Sequence, residues 1–501
     1  MIVSNREVMS EIAQKFDPLF NPRSLTLIGA SANPYKWGSV ILSHIITGHF
    51  KGKVYPVNPR EKEILGLKVY SSVKTLPETP DLAVVVTPPS SVPQVLQECG
   101  EKGIKAAVIV TAGFAEVGAE GARLQREVVN IARKSGMILV GPNCFGIIST
   151  ACSLCAIMPP LFPEPGPFAV VSQSGNVGFS IAQRLISKGF GISKLISYGN
   201  EADLHCEDYL EYLAEDTETK VILSYIEGFK DGRKFFEIAK KVTRKKPIVT
   251  LKAGYTSAGA RAAKSHTAAL AGSDAIFDSV CKQAGIIRVR DIDEIFNVGA
   301  ALLHQPLPRG KRVGIITAGG GWGVLGADAC VNAGLSVAQL PEETIGELDS
   351  FLPSWWSRGN PVDLVAGVFG EDVMKSIEVM LRCAAIDSLM LLNLSPMLPR
   401  GIVLVSNESS DLREQIKAFA DSLAEFFVQL ALLVAKYGKP IVIASEFGSE
   451  YIDAQVSRLA VQKGIPCYLL PDHAAAVLSK LAEYAEYRGN LSSHGSSVLE
   501  P

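Results

Sequence analysis

His266 is set in the most chemically suggestive context of any histidine in this sequence, inside KAGYTSAGARAAKSHTAALAGSD (252–274). A Gly/Ala/Ser-rich loop follows an apolar run and delivers the imidazole between Ser265 and Thr267. Small residues let a backbone approach a ligand closely, at an entropic cost that a purely structural loop avoids. Attack on phosphorus requires a neutral ring, with a carboxylate on the other nitrogen to fix the tautomer and stabilise the cationic phospho-imidazole. Glu227 in SYIEGFKDG and Glu201 in YGNEADL stand at strand ends as candidates for that acid. Singly, each also has an ordinary reading: a hydrogen-bonded structural histidine, and solvated strand-end acids.

Three Gly-rich turns could accept an anion on helix N–H groups. The first, GASANPYKWGS (29–39), offers Gly29 for a tight turn and Ser31 and Asn33 as small polar groups. It is not a G-x-G-x-x-G, and Asn58 stands where a ribose-binding acid would close the second strand, which disfavours a nicotinamide dehydrogenase. A structural turn of a Rossmann-like unit is the plain alternative for this loop. In SQSGNVG (172–178), Ser172, Ser174 and Gly175 sit at a strand-to-helix turn; Ser172 occupies the position where a nucleophile elbow needs glycine. TAGGGWGVLG (317–326) brings Gly319, Gly320 and Gly321 to another helix start. Two such starts in separate domains suggest one shared phosphate position.

These loops need parallel sheets, whose ligands lie beyond the carboxyl ends of the strands. The chain supplies them. Apolar runs SLTLIGA (24–30), KVYPVNP (53–59), LAVVVTPP (82–89), AAVIVTAG (106–113) and MILVGPN (137–143) alternate with helical stretches such as VPQVLQECGEKG (92–103). After the Pro-rich MPPLFPEPGP (158–167) come FAVVSQSG (168–175), ISKLISYG (192–199), VILSYIEG (221–228) and PIVTLKAG (247–254). After HQPLPRGK (304–311) follow RVGIITAGGG (312–321), SLMLLNLSP (388–396) and PIVIASEFG (440–448). The 501 residues thus divide into an N-terminal extension (1–22), α/β domains at 23–150, 165–303 and 310–488, and a Ser-rich tail (489–501) expected to be unfolded.

Bulk composition narrows the partners. A net charge of −2 gives no footprint for nucleic acid or acidic membrane. The longest apolar stretch, near Phe426 to Ala435, is too short to span a bilayer, and the first residues lack the apolar core of a secretory signal. Cys152 and Cys155 form a lone C-x-x-C with no second pair at zinc spacing, so no metal site is expected and a reduced cytoplasmic setting fits.

In this order, SLTLIGASANP, KGKVYPVNP and VGPNCFG resemble the CoA-binding domain of the α-subunit of ADP-forming acetate–CoA ligase, in the succinyl-CoA synthetase superfamily. SQSGNVG, YGNEADL, YIEG and KAG…SHTAALAGSD resemble that family's second domain, and GGGWG with NPVDL (360–364) its third. The resemblance implies a CoA-binding Rossmann-like domain followed by two flavodoxin-like domains. It makes His266 the phosphorylated residue and Glu227 its acid, with Glu201 a weaker match. Ser172, Ser174 and Gly175 would grip the phosphoryl group opposite Gly319, Gly320 and Gly321. Gly29, Ser31 and Asn33 match the CoA pyrophosphate loop, and Val110, Thr111 and Gly113 lie near the same cofactor.

Two departures stand out: Ala268 replaces the glycine of the family's S-H-T-G-A-L, and the stretch 398–437 is longer than expected, with a helical DSLAEFFVQLALLVAKYG. Neither a Walker A motif nor an ATP-grasp lid is recognisable. The resemblance therefore implies that ADP or ATP and Mg²⁺ bind a separate ATP-grasp β-subunit, in an α2β2 assembly. The substrates would be a small carboxylic acid or its acyl-CoA, with phosphate. A catalytically silent CoA or acyl-CoA sensor of the same fold is the rival that Ala268 favours; a Rossmann-type oxidoreductase is the other.

Overall fold

The computed structural model describes residues 10–259, 261, 274–365, 368, 370–394, 410–446, 456 and 458–495. The chain divides into two compact units, Met1–Ile295 and Phe296–Pro501, each described here by itself.

The first unit holds two sheets. Strands β1 (Ser24–Ile28), β2 (Lys53–Val57), β5 (Leu82–Val85), β6 (Ala106–Ile109) and β7 (Ile138–Val140) form a parallel sheet in the order β2-β1-β5-β6-β7, with β3 (Glu63–Ile64) and β4 (Leu67–Lys68) as a small hairpin. β1, β5 and β6 are buried at every position. That is why their sequence reads as unbroken apolar runs rather than alternation.

The second sheet contains β10 (Phe168–Ser172), β11 (Ile192–Ser197), β12 (Val221–Ile226), β13 (Ile248–Lys252) and β14 (Ile287–Val289), ordered β11-β10-β12-β13-β14. This is flavodoxin-like winding, with a switch of direction between β10 and β12. β8 (Gly146–Ser149) and β9 (Leu154–Ile157) extend it antiparallel beyond β11. β8 lies within the 23–150 segment yet pairs with the second sheet, and the apolar core runs from Leu25 and Val84 through Ile147 to Val171 and Ile222. The first two expected domains therefore share a core.

Residues ahead of the first strand belong to that core too. The helix Glu11–Phe20, capped by Ser10, fully buries Phe16, Leu19 and Phe20. Phe16 and Phe20 stack on Tyr212 at centroid distances of 5.0 and 4.7 Å. Tyr212 sits on the helix Cys206–Glu215, which follows the Tyr198–His205 turn at the site.

The second unit repeats the winding. β15 (Arg312–Thr317), β16 (Ser336–Val337), β17 (Val362–Asp363), β18 (Ser388–Leu392), β19 (Ile441–Ala444) and β20 (Cys467–Tyr468) follow the order β16-β15-β18-β19-β20, with β17 beside β15. The long insertion is helical over Ser410–Tyr437, and its Leu423, Phe427 and Leu430 are buried in this unit's core. The tail expected to be unfolded from Gly489 is helical as far as Gly495, where the helix Pro471–Gly495 ends, and 496–501 lie outside the described residues. A helix already seeded by packing of Leu478, Leu481 and Tyr484 gains one hydrogen bond for each residue added, which outweighs the weak propensity of Gly and Ser. Among the described residues no helix is long and apolar enough to cross a membrane.

Truncating the buried aromatic anchor should be costly. Phe16→Ala is expected to lower the stability of the first unit by about 3–5 kcal/mol, read as a lower urea midpoint for that unit's transition while the second unit's midpoint stays in place.

Candidate active site

Parallel sheets of this kind open a crevice where neighbouring strands wind in opposite directions. In the first sheet that point lies between β1 and β5, and in the second between β10 and β12. A single cleft of about 1280 Å³ joins them. Its walls include Gly29 and Ser31 after β1, Thr87 and Pro88 after β5, Val110 and Thr111 after β6, Ser174 and Gly175 after β10, and Glu227 after β12.

The first loop is built for close approach. Gly29 has φ +94, which L side chains rarely adopt, and its N–H donates to Val57 O at 3.0 Å. Gly38 packs so tightly on the Gly29 carbonyl that any Cβ there would collide. No side chain caps the helix Trp37–Thr47, so its first-turn dipole faces the cleft that Lys36 and Arg60 also line. Asn58 donates to Ala30 O at 2.7 Å and accepts from Arg60 N at 2.8 Å. It holds the turn, where a dinucleotide enzyme would set an acid for ribose. Asn33 lies outside the lining and shapes the same loop: its N–H donates to Ser31 Oγ and its Oδ1 accepts from Tyr35 N.

The second loop begins the helix Gly175–Ser187, with Ser174 as cap accepting from Val177 N at 3.4 Å. Ser172 is fully buried and donates to Ser174 O at 2.6 Å, so it braces the turn from behind. Gln173, overlooked between the two serines in sequence, ties the site together. Its Oε1 accepts from Glu227 N and Gly228 N, and its Nε2 donates to Gly228 O at 3.1 Å and Glu201 Oε2 at 3.0 Å. Glu227 is thereby fixed at the cleft, 7% exposed. Glu201 lies behind Gln173, in left-handed backbone (φ +55), and its other oxygen accepts from Cys206 N at 2.8 Å. It orients Gln173 and does not line the cleft.

Other polar groups meet the middle of the cleft. Asn143 (φ +57) donates to Asn200 Oδ1 at 3.2 Å, and Asn200 Nδ2 donates to Glu116 Oε2 at 2.5 Å and Gln125 Oε1 at 3.0 Å. Glu116 in turn accepts from Gly113 N at 2.6 Å. Gly113 thus supports this network from outside the cleft, on a groove between the helices Val92–Lys102 and Ala119–Lys134. Nothing in sequence spacing linked Glu116 to Asn200, 84 residues apart.

In the second unit, Gly319 precedes the helix Gly320–Asn332, which has no side-chain cap. A Cβ at Gly319 or Gly321 would meet no atom within 4 Å, whereas one at Gly320 would lie 3.0 Å from Asp363. His266 and Ala268 lie outside the described residues. Among those residues, the side chains able to gather on a metal are His205, Glu207 and Asp208. Lys234 already stands 2.8 Å from Asp208 and 3.6 Å from Glu207, and none of the three lines the cleft, so this group does not fit a magnesium ion serving it.

Comparison with known proteins matches this geometry. Residues 23–150 match the CoA binding domain model, 165–302 the succinyl-CoA ligase like flavodoxin domain, and 313–419 the ligase-CoA domain. Those domains in that order, the first two enclosing the cleft within the first unit, define an acid–thiol ligase of the succinyl-CoA ligase type. The chain belongs to the α-subunit family of ADP-forming acetate–CoA ligases. It is 42% identical over 473 residues to the acetate–CoA ligase [ADP-forming] II subunit alpha of Pyrococcus furiosus, covering 94% of this chain and 98% of that one. A 4-hydroxybutyrate–CoA ligase [ADP-forming] of Nitrosopumilus maritimus is 39% identical over 70% of this chain and 50% of its own length. Among solved structures, the dinucleotide forming acetyl-coenzyme A synthetase 1 of Ca. Korarchaeum cryptofilum, in complex with phosphate and ADP, is 34% identical with a TM-score of 0.81, covering 97% and 99% of the two chains. A Pyrococcus horikoshii OT3 structure is 39% identical with a TM-score of 0.77, covering 95% and 100%. These relatives support the ligase reading over the silent sensor and the oxidoreductase.

Burial, opposed by the Cys206 N–H, pushes the Glu201 carboxyl up to about 7. The free-chain value is about 4.3, so the folded state binds the proton more tightly. The stability this group contributes is complete below the free-chain value and is lost as pH rises through 7. Melting of the wild type should show this falling contribution between pH about 5 and 8, and Glu201→Gln should flatten it. An identical slope in the variant would contradict the assignment.

Proposed function

We propose that this chain forms and carries the phosphoryl group in reversible conversion of acyl-CoA, phosphate and nucleoside diphosphate to carboxylic acid, CoA and nucleoside triphosphate. The observation that carries the reading is the joining of CoA-type loops (Gly29, Ser31, Thr111) and phosphate-type groups (Ser174, Gly175, Glu227) in one cleft. CoA lies along the first-sheet loops, with its phosphates at the Trp37 helix start and Arg60 and its thioester toward Gly175. Phosphate sits on the N-terminus of the Gly175 helix. One of its oxygens attacks the thioester carbon; the C–S bond breaks, and CoA leaves as the thiol after taking a proton.

A ring nitrogen of His266 then attacks phosphorus. The bond from phosphorus to the acyl oxygen breaks, and the acid leaves as carboxylate. Glu227 holds the opposite ring N–H and stabilises the cationic phospho-imidazole, and Gly319, Gly320 and Gly321 are assigned, by the family resemblance, as further donors to the phosphoryl group. Transfer to ADP completes the cycle.

The nucleotide and its Mg²⁺ are assigned to an ATP-grasp β-subunit in an α2β2 assembly. Relatives named as α-subunits support a separate partner, as does a 38% identical Archaeoglobus fulgidus ligase of which this chain spans 63%. All nine cysteines are free, which suits the reducing cytoplasm.

The direct test supplies acyl-CoA and labelled phosphate to the protein together with its β-subunit. Acid-labile, base-stable label is expected on His266, absent in His266→Asn and reduced at least tenfold in initial rate in Glu227→Gln. Label that persists in His266→Asn would overturn the role.

A further inference from the structure

The acyl group must lie where the thioester reaches the phosphate, at the first turn of the helix Gly175–Ser187. On the functional reading above, the cleft residues that accompany Gly175 include Cys144, Phe145, Met158, Asn176, Gly199 and Asn200. Phe145 is an aromatic side chain of that lining, and it lies directly against the helix start. A Cβ on Gly175 would run into the Phe145 ring, so the glycine exists to let ring and helix N-terminus come into contact.

The ring is also held in place. Phe145 N donates to Ser197 Oγ at 3.0 Å, and Phe145 O accepts from Met158 N at 2.8 Å. Ser197 ends β11, and Phe145 immediately precedes β8, which pairs with it, so the ring is carried by sheet rather than by a loose loop. Phe145 and Met158 are both part-exposed, with their free faces toward the cleft. An acyl chain leaving the phosphate on the Gly175 helix meets this apolar wall first.

We propose that Phe145, backed by Met158, is the specificity-determining wall of the acyl site and sets the largest carboxylic acid accepted. The wall is anchored because a backbone hydrogen bond joins the two residues, and it is apolar because the acyl chain has no charge to match. Shape selection by such a surface is worth about 10–200-fold per methylene-sized change.

The test uses the complex with its β-subunit and compares kcat/KM for acetate, isobutyrate and phenylacetate. Phe145→Ala is expected to raise the phenylacetate-to-acetate ratio at least tenfold, and the milder Phe145→Leu to raise isobutyrate over acetate, while the dissociation constant for CoA changes less than twofold. Phe145→Trp is expected to move both ratios the other way. Ratios unchanged within twofold in Phe145→Leu and Phe145→Trp, with CoA binding intact, would overturn the proposal even if Phe145→Ala failed to fold. Labelling of His266 from acetyl-CoA separates the two ideas: with wild-type label present and ratios unmoved, the acyl wall alone falls; with no label from any acyl-CoA, the functional reading and the wall fall together.

Discussion

One buried side-chain amide joins the Ser174–Gly175 turn, proposed to bind phosphate, to the turn that carries Glu227. Gln173 leaves β10 beside Ser174, and its Oε1 takes two backbone N–H groups, from Glu227 and Gly228, while its Nε2 serves Gly228 O and Glu201. Satisfying both ends of a buried amide fixes its orientation, because any other rotamer strands donors and acceptors away from water at about 1–3 kcal/mol each. The separation of the Gly175 helix start from the Glu227 carboxylate is thus set by a rigid spacer. Glu201 supports the clamp from behind through its bond with Cys206 N.

This clamp would be of little use if the CoA loops were free to drift. They are not, because the first two sheets share one core and are further tied through polar contacts. Glu116 reaches Asn200, and Asp203 accepts from Arg133 at 3.0 Å and from Leu139 N at 3.1 Å. The helix Glu11–Phe20 packs over Tyr209 and Tyr212 on the helix that follows the same turn. The loops proposed for cofactor and for phosphate therefore belong to one unit, and a reaction that needs a thioester carbon within bonding distance of phosphate would gain from that preorganisation.

Much of the site was legible because its residues lie just past continuous apolar runs, where strand ends must open onto a crevice. Gly29, Ser174, Gly175 and Glu227 follow from that rule alone. The sequence was silent on Gln173, Asn143, Phe145 and Asn200, whose roles depend on which strands become neighbours. β8 is the clearest case: GPNCFG closes the first run in sequence, yet β8 pairs antiparallel with β11 and carries Phe145 to the Gly175 helix. Glu201 is a strand-end acid whose position in the chain suggests catalysis, while the fold buries it behind Gln173, off the cleft lining. Residues 489–495 show that local composition yields to a helix seeded upstream.

The central claim is that one cleft receives CoA and phosphate together. Hydrogen–deuterium exchange of the full chain, measured with CoA and phosphate both saturating, tests it most directly. Slowed exchange is expected at the Gly29–Gly38 loop, at Val110–Ala112 and at Ser174–Val177 in the same titration. Slowing confined to the first two segments, with Ser174–Val177 unaffected, would contradict it.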